Sequence, residues 1–166
     1  MTNTTRKHQG AAEMTRTTVS KWDARFMELA RHVAGWSKDP STKVGAVIVN
    51  DRLQVVGLGY NGFPRGTSDS GALYDDRERK YLRVVHAEVN AVLNATQSCM
   101  GATVYVTHPC CAQCMGVLIQ AGVLRVVFPA ADDGLRERLG ASFDMAAVMA
   151  REAGVRVWNY SEGAET

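Results

Sequence analysis

The chain has 166 residues and a formal net charge of +2, from 19 basic and 17 acidic side chains. This length suits one compact domain and is short for two, and the balanced charge argues against the strongly basic face that nucleic-acid binding usually needs. The hydrophobic fraction is 46%, as in ordinary globular domains, and the absence of an apolar run long enough to cross a bilayer excludes a membrane-spanning class.

The two ends of the chain are predicted to lie outside the folded domain. Residues 1–18 are polar, rich in Thr and basic side chains, and show no apolar period, so we expect a flexible N-terminal tail. This tail lacks the apolar core of a secretory signal, which favours a cytoplasmic location. We therefore expect one domain over residues 19–160 and a short C-terminal tail over residues 161–166.

The first half of the predicted domain contains a helix and two strands. Apolar residues recur at steps of three and four over residues 22–36, which predicts an amphipathic helix that ends before Pro40. Two β-branched runs, residues 44–50 and 54–60, are separated by three residues and predict an antiparallel hairpin. The polar, glycine-rich stretch from Asn61 to about Lys80 predicts a long loop, functional or disordered.

Helices and strands alternate in the second half. The predicted elements are helix 84–96, strand 103–107, helix 111–121, strand 124–128, helix 135–153 and strand 155–158. This order predicts an α/β fold, a three-layer α/β/α sandwich with a five-stranded mixed sheet whose crossover strands are parallel. Functional sites in such sheets lie where strand ends meet helix N-termini, so two chemistry-bearing segments that begin helices are expected to lie together.

Cysteines and one histidine predict a metal site. Cys110, Cys111 and Cys114 are too close in sequence to stabilise the fold through disulfide bonds, which indicates metal binding or thiol chemistry. Cys99 is distant from them in sequence and is expected to be a small buried side chain. Cys111 and Cys114 are three residues apart and share one face of the helix that they begin, where thiolates are stabilised. Together with His86 they match a catalytic zinc site, which has three protein ligands and a fourth position for water.

Glu88 decides between a catalytic and a structural interpretation of this site. Glu88 lies two residues after His86, so in the middle of a helix its side chain would point away from that of His86. In the first turn of a helix, the side chains of His86 and Glu88 can reach the same pocket. There a carboxylate can move protons between water and substrate. His-x-Glu followed by Cys-x-x-Cys is the pattern of zinc-dependent nucleobase deaminases.

Other interpretations of the same residues remain. Cys-x-x-Cys also occurs in redox dithiols, and a structural zinc site could close all four positions with Cys110, Cys111, Cys114 and His86. Because adjacent helical residues diverge by about 100°, Cys110 is expected to point away from the metal. Considered alone, His86 would more often be a core histidine and Glu88 a solvent-exposed glutamate. The catalytic interpretation therefore depends on the His86–Glu88 segment and the Cys111–Cys114 segment occurring together.

Several longer segments carry a family resemblance. They are SKDPSTKVGAVIVN (37–50), GYNGFPRGTSD (59–69), VVHAEVNAVLNA (84–95) and LIQAGV (118–123). With these segments the chain resembles the deoxycytidylate deaminase family of the cytidine deaminase superfamily over about residues 22–157. The first two segments are specific to that family, whereas His-Ala-Glu and Cys-x-x-Cys are common to the superfamily. Proline usually precedes the first zinc cysteine directly, but here Pro109 lies one residue earlier and Cys110 takes its place.

The resemblance implies a reaction and roles for individual residues. It implies a cytidine deaminase-like fold and zinc-dependent hydrolysis of dCMP to dUMP and ammonia, which supplies dUMP for thymidylate synthesis. Zinc would be bound by His86, Cys111 and Cys114, and Glu88 would carry protons. The backbone N–H of Ala87 would face the pyrimidine carbonyl, and Asn61 would contact the sugar or base. The phosphate would need cations, for which the candidates are Lys43 and Arg83, with Arg65 and Lys80 as further ones.

The resemblance also implies regulation and assembly. Family members are often homohexamers that dCTP activates and dTTP inhibits, with Mg²⁺ accompanying the nucleotide. Residues 59–69 would hold this effector, or would form a glycine-rich lid over the active site. Alternative functions are deamination of dCTP, of a 5-substituted dCMP or of a base in tRNA or single-stranded nucleic acid. A non-catalytic, zinc-stabilised nucleotide-binding module is the alternative from another class, and we expect neither a membrane nor a nucleic-acid partner.

Overall fold

The computed structural model describes residues 20–160, so the predicted tails, 1–18 and 161–166, lie outside the described residues. The strands are β1 (Gly45–Val49), β2 (Val55–Tyr60), β3 (Thr103–Val106), β4 (Arg125–Phe128) and β5 (Arg156–Asn159). The helices are α1 (Lys21–Ala34), α2 (Gly71–Asp75), α3 (Arg77–Arg83), α4 (Ala87–Leu93), α5 (Ala112–Gln120) and α6 (Asp133–Glu152). Within the described part of the chain, no helix is both long and apolar enough to span a membrane.

The five strands form one mixed sheet in the order β2-β1-β3-β4-β5. β1 runs antiparallel to both β2 and β3, whereas β3, β4 and β5 are parallel to one another. The parallel pairs follow from the connections, because α5 joins β3 to β4 and α6 joins β4 to β5, and a parallel pair needs such a crossover. The predicted hairpin and the predicted five-stranded mixed sheet are confirmed.

Two predicted segments differ from the structure. The long loop predicted from Asn61 to Lys80 contains α2 and most of α3, and α3 is capped by the Asp76 side chain, which accepts a hydrogen bond from the Arg79 N–H. Both helices are so short and polar that no apolar period reveals them. The helix predicted over residues 84–96 is shorter, because its first residues are extended and Val85 pairs with Gly62.

Helices cover both faces of the sheet. On one face, α1 packs Phe26, Met27 and Ala30 against inward side chains of β1, β3 and β4. On the other face, buried residues of α4, α5 and α6 pack against the alternate positions of the same strands, such as Ile48 and Val104. β1 is therefore buried along its whole length, as a central strand with two covered faces should be. Cys99 also lies buried in the second cluster, as predicted.

A buried ion pair fixes α1 to the sheet. Asp23 accepts hydrogen bonds from two guanidinium nitrogens of Arg125, at 2.7 and 3.0 Å, and from the Tyr105 hydroxyl at 2.7 Å. Burial would raise the pKa of Asp23, but the hydrogen bonds from Arg125, Tyr105 and Ser20 outweigh burial and lower the pKa to about 2. The carboxylate therefore stays charged at neutral pH, where it holds α1 against β3 and β4.

Close contact between β2 and α4 positions the start of α4. A Cβ atom on Gly59 would overlap the backbone of Ala87 and Ala91. Glycine at this position lets the strand backbone touch the helix backbone, so the first turn of α4 lies directly against the sheet.

We expect Gly59→Ala to destabilise the fold and to weaken metal binding. The added methyl group must push α4 away from β2, an overpacking that costs about 1–3 kcal/mol, and Ala87 directly follows His86. Urea unfolding and a chelator competition for zinc measure the two effects. Gly71→Ala is the matched control, because a Cβ there meets no atom within 4 Å; equal behaviour of the two variants would contradict the prediction.

Candidate metal centre and active site

Two short strand contacts bring the predicted site segments together. Thr107, just after β3, exchanges hydrogen bonds with Gly45: its N–H donates to the Gly45 carbonyl at 3.1 Å, and its hydroxyl accepts from the Gly45 N–H at 3.0 Å. On the other side, Gly62 and Val85 exchange two backbone hydrogen bonds, at 3.1 and 2.8 Å. The chain runs from Thr107 into the cysteine segment and from Val85 directly into His86, so both segments start from this end of β1 and β2.

Two of the three candidate metal ligands occupy equivalent positions, each at the start of a helix. His86 is the N-cap of α4 and Cys111 is the N-cap of α5, both with extended backbone. Cys114 lies in the first turn of α5, and its N–H donates to the Cys111 sulfur at 3.5 Å. A helix N-terminus stabilises negative charge, so this is an environment that favours thiolates.

The donor atoms of these three residues form a compact group. His86 Nδ1 lies 3.2 Å from Cys114 Sγ and 3.5 Å from Cys111 Sγ, and all three atoms lie within 4.8 Å of one another. Donors that bind one Zn²⁺ at about 2.0–2.3 Å in a tetrahedron are roughly 3.5–3.8 Å apart. The two thiols and the imidazole therefore fit zinc, and among residues 20–160 they are the one set of His, Cys, Asp or Glu side chains grouped in this way.

The two thiols differ in acidity. Hydrogen bonds from Cys114 and His86 lower the pKa of Cys111 to about 4 even though burial opposes this change. The hydrogen bond to Cys111, together with burial, raises the pKa of Cys114. Without a metal the pair therefore holds one thiolate, on Cys111, and zinc binding would release the remaining thiol proton.

Glu88 lies buried beside this group. It is the second residue of α4 and only 4% exposed. Burial raises the pKa of its carboxyl group, while its own backbone N–H and the charge of His86 oppose that rise. A buried carboxyl group with a raised pKa, next to a metal site, is suited to accept a proton and to release it again.

Cys110 is outside the group of donors. Its side chain is 1% exposed and its thiol contacts the Cys111 carbonyl at 3.6 Å. Burial raises the pKa of this thiol well above its usual value, so it remains protonated. Cys110 is therefore not one of the three grouped donors, but its thiol also forms a hydrogen bond with Glu88. That it points away from the metal stays a prediction.

The residues predicted to contact the base and the sugar, Ala87 and Asn61, both keep hydrogen-bonding groups free for a ligand. Ala87 is the first residue of α4, so its N–H is one of those that have no partner within the helix. Asn61 is buried, and its amide already binds backbone: Oδ1 accepts from the Val44 N–H and Nδ2 donates to the Thr42 carbonyl, both at 2.8 Å. One N–H and one lone pair of Asn61 remain for a ligand.

Of the predicted phosphate-binding cations, Lys43 and Arg83 form neither an ion pair nor a side-chain to side-chain hydrogen bond among residues 20–160. Lys43 is exposed, just before β1. Arg83 is partly buried, with its guanidinium 5.1 Å from the centre of the Phe63 ring and a hydrogen bond of 3.3 Å to the Ser68 carbonyl. Neither contact neutralises the arginine, so both side chains can still attract an anion.

The other two cations are engaged elsewhere. Arg65 is exposed and donates to the Asn94 side chain at 2.6 Å. Lys80 is 7% exposed, and its ammonium lies 3.1 Å from the buried carboxylate of Asp39. The candidate role of Lys80 as a phosphate ligand is therefore corrected: its charge is already neutralised inside the protein.

His108 was not among the predicted site residues. It follows Thr107 at the end of β3 and lies near enough to His86 and Cys111 for their charges to affect its pKa. Its Nδ1 lies 3.1 Å from the Pro109 carbonyl, which can only accept, so Nδ1 carries the proton. Burial lowers the pKa of His108 and keeps it neutral. Its place between a strand end and the cysteine segment is the signal that could have identified it.

Comparisons with known proteins agree with this geometry. Residues 20–130 match the family described as the cytidine and deoxycytidylate deaminase zinc-binding region. The chain is 43% identical over 139 residues to an uncharacterized deaminase in the luxG 3′ region of Aliivibrio fischeri, covering 84% of this chain and 93% of that protein. It is 37% identical over 143 residues to the deoxycytidylate deaminase of Homo sapiens, covering 80% and 79%. The crystal structure of dCMP deaminase from cyanophage S-TIM5 in apo form superposes with a TM-score of 0.63 at 25% identity, covering 83% and 96%.

Proposed function

Because the chain belongs to the cytidine and deoxycytidylate deaminase family, we propose that it is a zinc-dependent hydrolase that converts dCMP to dUMP and ammonia. One observation carries this proposal: a buried glutamate lies beside two thiols and an imidazole whose donor atoms fit one zinc ion. The similarity to deoxycytidylate deaminases supports dCMP as the substrate.

The residues of the chain account for the proton movements of this hydrolysis. Zinc held by His86, Cys111 and Cys114 would supply Lewis-acid activation of the attacking water. Glu88 takes one proton from that water and delivers it to N3 of the pyrimidine. It then takes the remaining proton from the hydroxyl group now bonded to C4 and delivers it to the departing amine, which leaves as ammonia. Overall one water is consumed, the C4–N bond breaks, and the product carries a carbonyl at C4.

The remaining site residues position the nucleotide. The Ala87 N–H donates to the pyrimidine carbonyl, because it lies at the start of the helix that also carries Glu88. Asn61 contacts the sugar or base with the part of its amide that does not bind backbone. Lys43 and Arg83 are the cations assigned to the phosphate.

A substrate panel tests this function. The zinc-loaded protein is incubated with dCMP, dCTP, a 5-substituted dCMP, cytidine and a short RNA, and ammonia release is measured together with the deaminated product. We expect the highest kcat/KM with dCMP. Turnover confined to the RNA would overturn the substrate, and nucleotide binding without any ammonia release would favour a non-catalytic module.

We also propose the assembly and regulation that the resemblance implies. The enzyme is a homohexamer, dCTP activates it and dTTP inhibits it, and Mg²⁺ accompanies the effector bound by residues 59–69. The resemblance of GYNGFPRGTSD to the family supports this assignment. Addition of dCTP with Mg²⁺ is expected to lower the dCMP concentration that gives half-maximal rate.

We further propose that residues 19–160 form the catalytic domain, with residues 1–18 and 161–166 outside it. A cytoplasmic location, where the enzyme supplies dUMP for thymidylate synthesis, fits the four free cysteines, because closely spaced thiols persist in a reducing compartment.

A further inference from the structure

A buried ion pair that the mechanism does not use lies near the site. Lys80 of α3 and Asp39 are 7% and 2% exposed, with the Lys80 ammonium 3.1 Å from both carboxylate oxygens. The free-energy cost of removing two charges from water usually offsets their mutual attraction, so a buried ion pair is weak evidence for added stability. The contacts that surround Asp39 suggest what else the pair does.

The Asp39 carboxylate shapes the turn that leads into β1. Its Oδ1 accepts hydrogen bonds from the backbone N–H groups of Ser41 at 2.9 Å and Thr42 at 3.1 Å. The Ser41 hydroxyl also donates to Asp39 and accepts from Lys80. An aspartate that binds the backbone two and three residues ahead fixes a tight turn, and Lys80 fixes that turn from α3.

Asn61 continues this chain of hydrogen bonds. It binds the Thr42 carbonyl and the Val44 N–H with its side chain, and its own carbonyl accepts from the buried Ser37 hydroxyl at 2.8 Å. The next residue, Gly62, pairs with Val85, immediately before His86. An unbroken set of contacts therefore joins Lys80 to the segment that carries a metal ligand.

We propose that Asp39 and Lys80 form a positioning pair for the substrate, which holds residues 41–43 and Asn61 in place to bind the sugar and phosphate of the nucleotide. The inference rests on the proposed function, since it assigns Lys43 and Asn61 to parts of dCMP. The exposed side chains of Thr42 and Lys43 leave the same turn whose backbone Asp39 fixes. The pair itself touches neither the substrate nor the metal ligands.

Kinetics separate positioning from a purely structural role. The groups held by the pair bind the ground state and the transition state alike, so their displacement raises KM and leaves kcat nearly unchanged. We expect Lys80→Met and Asp39→Asn to raise KM for dCMP about tenfold or more, with kcat within about threefold of wild type. Lys80→Arg, which keeps a cation, is expected to restore much of the affinity.

The matched control is Lys38→Met, which removes a lysine from an exposed pair with Asp69 (2.6 Å; side chains 67% and 35% exposed). Its KM is expected to equal that of wild type. All variants are full-length and zinc-loaded, and zinc content and thermal melting are measured beside the kinetics. A Lys80→Met protein that folds, holds zinc and keeps a wild-type KM would overturn the inference, as would a loss confined to kcat.

The double variant Asp39→Asn/Lys80→Met covers the case in which Lys80→Met fails to fold because Asp39 is left buried without a partner. It has no unpaired charge, so it is expected to fold and still to show the raised KM. If no variant of the pair folds with zinc, the pair is needed for folding and the positioning role is wrong. If wild type itself does not turn over dCMP, the proposed function fails instead, so the two failures are distinguishable.

Discussion

Glu88→Gln is expected to lower kcat for dCMP about 10³-fold or more while zinc content stays that of wild type. Proton transfer by a positioned side chain contributes about 10²–10⁴-fold to a rate, and here one carboxyl group serves more than one transfer. Glutamine has nearly the same shape but can neither take a proton from water nor return it to the substrate. Zinc content by elemental analysis and single-turnover formation of dUMP measure the two properties separately.

The environment of Glu88 makes this substitution informative. The side chain is buried at the start of α4, so an isosteric amide keeps the packing that a smaller residue would lose. Glu78→Gln, at an exposed position of α3, is the matched control and is expected to behave like wild type. Retained turnover in Glu88→Gln would contradict the proton-transfer role, and loss of zinc would show that the carboxylate acts on the metal site itself.

The same variant distinguishes an enzyme from a binding module. A zinc-stabilised module without turnover would bind nucleotide equally well before and after the substitution, and neither protein would release ammonia. The proposed enzyme would differ between the two proteins in ammonia release while both still bind dCMP. Binding and turnover measured on the same two proteins therefore separate these functions.

The parts of the site that sequence reasoning could predict depend on local structure. His86 and Cys111 each precede a helix, and the geometry of a helix start places Glu88 and Cys114 within reach of the same space. β2 and β3 are both antiparallel to β1 and so run in the same direction, and α4 and α5, which follow them in the chain, therefore begin at one end of the sheet. These steps need only periodicity and the residue types at two motifs.

Long-range polar contacts could not be predicted in the same way. A lysine in a short polar helix looks solvated, and the burial of Lys80 depends on Asp39, 41 residues earlier in the chain. The amide of Asn61 matches a family position that contacts substrate, yet most of its hydrogen bonds hold the backbone between Thr42 and Val44. Such pairings depend on how the loops fold over the sheet, and no periodic pattern encodes them.

The identity of the zinc-binding thiols leads to the second prediction. Pro109 and Cys110 stand one position away from the usual family spacing, so either Cys110 or Cys111 could in principle be the first cysteine ligand. The structure groups Cys111 and Cys114 with His86 and turns the Cys110 thiol towards a backbone carbonyl.

We therefore expect Cys111→Ser and Cys114→Ser to lose zinc and activity together, and Cys110→Ser to keep zinc. Losing a ligand should weaken zinc affinity by more than the roughly 10–100-fold that results from losing a group that hydrogen-bonds a ligand. Serine is also a favourable N-cap, so Cys111→Ser keeps the start of α5 and its defect reports on the metal rather than on helix folding. Chelator competition gives the affinities and circular dichroism checks the fold. Zinc loss in Cys110→Ser with retention in Cys111→Ser would move the ligand position by one residue and remove the geometric basis for placing Glu88 beside the metal.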